Sequence, residues 1–251
     1  MIGIILAAGQ GTRLRDYIDM DNIGTKCLLK IDNKTLIERM IFDFKKIGVI
    51  KIIVVCGFKR QLLVNFVKEL EYKYCIEIET INNPIYDKSN TGYSLFLALK
   101  ELDMADDIIV INGDVLYEFS IINSLHQLPN TCMVIDADKK LTDESFKLKL
   151  KNNKIEKMGK TIQISDSTGE FIGLSKISEK HVFETREILE NIINRKFTEY
   201  YDLMFQELSN RYIINFYFIQ NQKWTEIDTI EDFNYAVSIS TQIDEDRFHE
   251  E

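Results

Sequence analysis

Apolar positions in the first half of the chain alternate between two spacings. Residues 2–7 (IGIILA) form a continuous apolar run ending at Gly9 and Gly11, the pattern of a strand buried on both faces that feeds a glycine loop. Leu36, Ile37, Met40, Ile41, Phe44 and Ile47 then recur at helical spacing and stop at Gly48, which predicts a helix over residues 35–47. The alternation continues with strands at 50–56, 76–81 and 108–111 and helices at 59–70 and 91–102, the third of these strands running into Asn112-Gly113-Asp114. Strands that alternate with amphipathic helices imply right-handed crossovers and a mainly parallel sheet.

After Asp114 the rhythm changes. A helix at 119–128 and a strand at 132–136 still follow the pattern, but residues 147–157 (KLKLKNNKIEK) alternate around Asn152-Asn153, which signals a hairpin. A strand at 170–178, helices at 181–193 and 201–209, a strand at 212–219 and a helix at 230–240 complete the pattern. The expected fold is α/β: a Rossmann-like, mainly parallel sheet flanked by helices, with a small mixed α+β lid subregion over its carboxyl edge. Within this single domain, residues 1–136 are expected to form the sheet core, 137–223 the lid and 224–251 a return segment with the C-terminal helix.

Composition narrows the class. With 31 Lys and Arg against 40 Asp and Glu, the formal charge is −9 over 251 residues, so the chain lacks the net basic character of a nucleic-acid-coating protein. No basic patch with interleaved aromatics is evident. Only two prolines, Pro84 and Pro129, and 11 glycines are present, and no linker or repeat marks a boundary. Cys27, Cys56, Cys75 and Cys132 are widely spaced with no CxxC pair, and read as buried free thiols of a reducing cytoplasm. The apolar start is too short for a membrane span and lacks a basic leader, so a soluble cytoplasmic protein with no membrane insertion is expected. His126, His181 and His249 have no metal-ligand spacing, and residues 244–251 read as a frayed acidic tail.

In open α/β sheets ligands lie outside the carboxyl ends of the strands, where the loop LAAGQGTRL (residues 6–14) and Asp114 both fall. Gly9 and Gly11 let backbone N–H groups approach phosphate, and Arg13 adds a planar cation. The loop is neither a Walker A sequence nor a dinucleotide fingerprint, since Leu14 stands where the latter's third glycine would be. Two alternatives remain open for the aspartates: Asp114 as a turn-forming residue, and Asp228 as a helix N-cap. Alternation points Glu226 to the same face as Asp228.

The ordered strings LAAGQGTRL, Lys26-Cys27-Leu28-Leu29, Asn90-Thr91-Gly92-Tyr93-Ser94-Leu95, Ile111-Asn112-Gly113-Asp114 and Trp224-Thr225-Glu226-Ile227-Asp228-Thr229 resemble the nucleotidyltransferase family that joins nucleoside triphosphates to phosphorylated sugars and alcohols. The resemblance covers nearly the whole chain, although the family's lysine usually follows a proline and here Gly24-Thr25 precede Lys26. It implies the nucleotide-diphospho-sugar transferase fold and attack by an acceptor phosphate on the α-phosphorus of the triphosphate, with pyrophosphate leaving. It implies Mg²⁺ on Asp114 and Asp228, and the β- and γ-phosphates held by Arg13 and Lys26. The nucleotide is expected against Ala7, Ala8, Gly9, Gly11 and Thr12, with Thr91 or Ser94 near the base.

Residues 146–150, 155–160 and 169–173 further resemble cytidylyltransferases acting on phosphorylated alcohols and phosphonates, a pattern in which Lys147 and Lys160 face the acceptor phosphate. Lys149, Lys151, Lys154 and Lys157 read as a solvated face. Tyr200-Tyr201-Asp202-Leu203 resembles a segment of choline-phosphate cytidylyltransferases, where aromatic faces and a carboxylate hold a quaternary ammonium; packing of Tyr201 and Leu203 on the core is the alternative. Glu170 is another lid candidate. The expected activity is transfer of CMP from CTP to a small phosphorylated alcohol, phosphonate or phosphocholine for surface-polymer or lipid decoration, by a homodimer. A sugar-1-phosphate uridylyl- or thymidylyltransferase and an inactive nucleotide-binding regulatory module are the rivals.

Overall fold

The computed structural model of the protein describes residues 1–102 and 106–248. Strand β1 (Ile2–Ala7) is followed by the short helix α1 (Met20–Ile23), the small hairpin β2 (Lys30–Ile31) and β3 (Lys34–Thr35), and helix α2 (Leu36–Lys46). Next come β4 (Lys51–Cys56), α3 (Arg60–Tyr74), β5 (Glu77–Asn82), α4 (Thr91–Lys100) and β6 (Ile108–Asn112). The second half holds β7 (Val115–Tyr117), α5 (Phe119–Gln127), β8 (Cys132–Asp136), β9 (Lys147–Lys151), β10 (Lys154–Gly159), β11 (Gly169–Ile177), α6 (Val182–Arg195), α7 (Leu203–Arg211), β12 (Asn215–Phe218), β13 (Trp224–Glu226) and α8 (Ile230–Phe248).

All six residues of β1 are buried because it is central, paired in parallel with β4 on one side and β6 on the other. That position explains the unbroken apolar run. One sheet runs β10-β9-β11-β6-β1-β4-β5, with β8 and β12 branching from β11. Its first-half strands are parallel, whereas β11 runs antiparallel to β6, β8 and β9. Apolar side chains divide by strand alternation into two cores. Ile5 and Ala7 pack with α2, α3, α5 and α8, while Ile4 and Leu6 pack with α4, α6 and α7. The mainly parallel, helix-flanked α/β sheet expected from periodicity is therefore present, and the second half adds five strands to that same sheet.

Local chemistry accounts for the ends of these elements. Thr35 caps α2 by accepting from the Glu38 amide, and Lys45 and Lys46 occupy its last turn, where the helix dipole favours cations. Asn152 and Asn153 both take positive φ, +51° and +59°, as a two-residue hairpin turn between β9 and β10 requires. Gly173, at φ +82°, marks the register shift in β11, and a Cβ there would lie 2.9 Å from the Asn112 side chain.

Two expectations are corrected, and one pairing carries no signal in the sequence. Cys75 is exposed at the end of α3, while Cys27, Cys56 and Cys132 are buried. The pairing of β7 with β13 was not read from the sequence, being three residues on each side and too short for a period to register. The acidic end is not a frayed tail through residue 248: α8 continues there and docks on α2. Arg247 donates to both Asp43 carboxylate oxygens, at 2.7 and 3.0 Å, and to the Tyr117 carbonyl, while Asp244 pairs with Arg39 at 2.6 Å. Asp43 and Arg247 are fully buried, so the helix is held by charges that a hydropathy pattern assigns to solvent. Residues 249–251, including His249, lie outside the described residues.

Candidate active site

At the carboxyl end of β1 the chain turns through Ala8, Gly9 and Gly11 into a cavity of about 350 Å³. Gly11 sits at φ +62°, and a Cβ there would meet the Lys26 side chain at 2.9 Å. Its lack of a side chain lets Lys26 cross the loop toward the end of β6.

There the ammonium of Lys26 donates to Asp114 at 3.1 Å and to Asp228. Antiparallel pairing sets Glu226 of β13 opposite Val115 of β7, and the Ile227 amide donates to the Asp114 carbonyl at 2.9 Å. Carboxylate oxygens of Asp114, Glu226 and Asp228 consequently lie within 4.8 Å of one another. Both alternatives for the aspartates are resolved. The Asp114 carboxylate accepts from Lys26, and α8 is capped reciprocally by Thr229 and Asp232, which leaves the Asp228 side chain to the cavity.

Electrostatics follow from this crowding. Burial pulls the Lys26 ammonium down, but Asp114 and Asp228 outweigh it and hold the charge above its ordinary range. Burial raises Asp228, yet Lys26 and then Arg13 bring it net below the carboxylate norm. Glu226 opens to the cavity but sits deep within it; desolvation, then the charges of Asp114 and Asp228, push its carboxyl up to about 8. Three hard oxygen donors converging beside one ammonium are suited to a divalent cation such as Mg²⁺.

Farther out, Arg13 donates to Asp228 at 2.9 Å and to Glu144 at 3.1 Å, and Lys160 also donates to Glu144 at 3.1 Å. Asp228, then Glu144, keeps the Arg13 guanidinium charged above its usual range. Lys147 does not join this group. Its ammonium is buried and donates to the carbonyls of Thr142, Asp143 and Ser145 at 3.0, 3.2 and 3.1 Å, so it ties the loop that carries Glu144 instead of facing the cavity. Lys149, Lys151, Lys154 and Lys157 lie on the outer side of the hairpin, none of them buried.

The opposite wall comes from the ends of β5 and α4. Asn90 caps α4 through Thr91, and Thr91 accepts from the Tyr201 amide at 3.2 Å. The Asn90 and Gly92 amides donate to the carbonyls of Phe197 and Glu199. This turn thereby carries the segment that lines the cavity with Tyr200 and Asp202. Tyr200 packs edge-on against Phe146 at 5.3 Å, whereas Tyr201 is fully buried against Phe171 and Phe205, as the packing alternative anticipated. Burial pushes the Asp202 carboxyl up to about 8. Glu170 is buried and pairs with Lys139 at 3.1 Å.

Of the residues named from sequence, Ala8, Gly9, Gly11, Thr12, Arg13, Lys26, Thr91, Ser94, Asp114, Lys160 and Asp228 line one cavity. Ala7 lies behind the loop in a smaller recess with Cys27 and Gly113. Asn83, Tyr86 and Glu144 also line the main cavity and were missed. Asn83 follows β5 directly, so the carboxyl-end rule could have found it; Glu144 sits in an irregular acidic stretch that carries no such signal.

Comparison with known proteins agrees with this arrangement. A CTP:phosphoglutamine cytidylyltransferase of Campylobacter jejuni is 28% identical over 94% of this chain and 99% of its own length. The inositol-1-phosphate CTP transferase of T. maritima superposes with a TM-score of 0.77 at 20% identity, covering 97% of this chain and 96% of that one. The CTP:phosphocholine cytidylyltransferase of Streptococcus pneumoniae does so with a TM-score of 0.74 at 23% identity, covering 95% and 99%. The nucleotide-diphospho-sugar transferase fold expected from the motifs is thus the observed one. Residues 3–141 match the MobA-like NTP transferase domain, and with the glycine loop, Lys26 and the carboxylate cluster in one cavity, the chain belongs to that family of nucleotidyltransferases.

Proposed function

We propose that the protein transfers CMP from CTP to a small phosphorylated acceptor and releases pyrophosphate. The observation that carries this is the meeting of the glycine loop, Arg13 and Lys26 with Asp114, Glu226 and Asp228 in one cavity. The relatives named above, all CTP-dependent by name, support the choice of nucleotide.

Asp114 and Asp228, with Glu226 beside them, would hold Mg²⁺. When bound it neutralises phosphate charge that the cationic side chains alone do not balance. Backbone amides of the loop and the Arg13 guanidinium receive the β- and γ-phosphates, and Lys26 steadies the leaving pyrophosphate. The acceptor is a phosphomonoester whose second pKa is about 6, or a related phosphonate, so it arrives ionised and requires no strong general base. Lys160 supplies its counter-charge. Residues 137–223 contribute the acceptor side of the cavity, where Phe146, Tyr200 and Asp202 set the shape of the head group. No helix among the described residues is long and apolar enough to cross a membrane, and a CTP-dependent reaction with three buried free thiols suits the cytoplasm. A CDP-activated head group fits use by a transferase that decorates a surface polymer or lipid.

The test is pyrophosphate release in a matrix of CTP, UTP, GTP, ATP and dTTP against phosphocholine, aminoethylphosphonate, phosphoethanolamine, inositol phosphate, glycerol phosphate, phosphorylated glutamine and glucose-1-phosphate, with and without Mg²⁺. Mg²⁺-dependent turnover with CTP and a non-sugar acceptor is expected. Turnover confined to UTP or dTTP with glucose-1-phosphate overturns it.

A further inference from the structure

The loop between β8 and β9 is tied at both ends by buried charged groups. At its start Asp136 accepts from the amides of Asp138 and Lys139, both at 2.9 Å, and from the indole N–H of Trp224 at 2.6 Å. At its end the Lys147 ammonium gathers the carbonyls of Thr142, Asp143 and Ser145. Thr142 and Ser145 close a tight turn there, in which the Thr142 amide donates to Ser145 Oγ at 3.2 Å and the Ser145 amide to the Thr142 carbonyl at 3.3 Å. Glu144 stands on that turn and lines the cavity. Its backbone is fixed by its neighbours, but its side chain is 66% exposed and can change rotamer rapidly.

A single oxygen of that side chain spans two cations. Glu144 Oε2 accepts from Arg13 Nη2 and from Lys160 Nζ, both at 3.1 Å. Lys160 first, and then Arg13, draws the carboxyl below its usual range. Arg13 is the cation assigned above to the phosphates of the nucleotide, and Lys160 the one assigned to the acceptor phosphate. A phosphate oxygen arriving at either cation takes the place of Glu144 there, because it brings more charge and a carboxylate left beside it would face an anion at close range. Losing one partner removes part of what holds Glu144 against the other.

We propose that Glu144 is a placeholder for phosphate that couples the two halves of the cavity: it bridges Arg13 and Lys160 when both substrates are absent, and whichever substrate displaces it first leaves its other cation easier to take. The proposal rests on the reading of Arg13 as a nucleotide contact and of Lys160 as an acceptor contact. Coupling between two sites is reciprocal, so the acceptor phosphate tightens the nucleotide by the same factor as the nucleotide tightens the acceptor. Exposed ion pairs are weak, which bounds the factor at about two- to fivefold. It opposes the mutual repulsion of two anionic substrates, which alone would weaken the second to bind. Added salt screens the pairs and diminishes it.

The test uses the α,β-methylene analogue of CTP, whose carbon bridge keeps pyrophosphate from leaving, and inorganic phosphate as the probe of the acceptor side. Calorimetry at fixed Mg²⁺ and low ionic strength compares phosphate binding to the free protein and to the protein saturated with the analogue. In the wild type, phosphate is expected to bind the loaded protein about two- to fivefold tighter. Glu144→Gln keeps the shape and loses the charge; it should bind the analogue alone more tightly by a similar factor, and loading should no longer improve phosphate binding. Asp143→Asn makes the same change of charge one residue away, outside the cavity, and is expected to keep the wild-type coupling. Phosphate binding that loading leaves unchanged or weakens in the wild type overturns the proposal, and so does coupling that survives in Glu144→Gln. Loss of coupling in Asp143→Asn also overturns it, since net charge would then be the cause. In each of these cases the analogue still binds and the proposed activity stands. Failure of the analogue to bind at all overturns the nucleotide reading itself, and the placeholder with it.

Discussion

The amide of Ile227 donates to the carbonyl oxygen of Asp114 at 2.9 Å across 113 residues of chain. That bond, with the β7–β13 pairing beside it, sets the two aspartates on either side of the Lys26 ammonium. Backbone geometry, not side-chain reach, brings the three acids together, so their charge can be altered without moving the strands that carry them.

Neutralising the cluster should therefore separate chemistry from folding. Asp228→Asn is expected to lower kcat/KM about 100-fold or more, because a preorganised charge in the cavity is lost. Its circular dichroism spectrum should match the wild type. Pyrophosphate release at saturating Mg²⁺ checks the first point, and activity within a few-fold of normal would remove Asp228 from the machinery.

Two lysines that look equivalent along the chain should respond in opposite ways. Lys147→Met leaves three loop carbonyls without their donor and is expected to cost about 2 kcal/mol or more, lowering Tm by about 4 °C or more. Lys160→Met should leave Tm within about one degree, as befits a partly exposed ion pair, yet raise KM for the acceptor. Thermal denaturation beside steady-state kinetics distinguishes them. A Lys147→Met protein of normal Tm but poor turnover would mean that the lysine acts on substrate.

The buried clasp at the end of α8 makes a third prediction. Arg247→Ala strands the Asp43 carboxylate, and breaking such a pair typically costs about 3–5 kcal/mol. Urea unfolding should show a loss of that size, and Asp43→Asn combined with Arg247→Ala should cost less than Arg247→Ala alone. Unchanged stability in the single variant would show that the helix end contributes nothing.

Asp202 provides the pH dependence. Its folded pKa is raised to about 8 by burial, so the folded state holds a proton that the unfolded chain releases near pH 4. Below that pH both states are protonated and the group is neutral to stability. As pH rises from about 4 to about 8 the unfolded state gains, and folding stability falls. Asp202→Asn removes this penalty. Its Tm should match the wild type near pH 4 and exceed it by about 4 °C or more at pH 8, as followed by calorimetry. A constant difference across that range would contradict the assignment.

Element order was readable along the chain because hydrophobic spacing reports which face of a segment is buried, and that is a local property. The run at residues 2–7 could belong only to a central strand, and Asn152-Asn153 only to a tight hairpin. Asp114 and the glycine loop were placed near the ligand by the rule that parallel strands present their carboxyl ends. Pairings were another matter. Lys147 and Lys160 lie in one polar stretch, and which of them faces the cavity depends on the carbonyls of residues 142–145, brought there by the turn of the loop. Glu144 became a partner of Arg13 only when β9 joined the far side of the sheet. Arg247 and Asp43 look like surface charges until α8 meets α2. Asn83 shows the division most plainly: its place after a strand is written in the sequence, but its side chain accepts from the Ile85 N–H and donates to Ser89 and Ser94, contacts that exist only once the chain has folded back on itself.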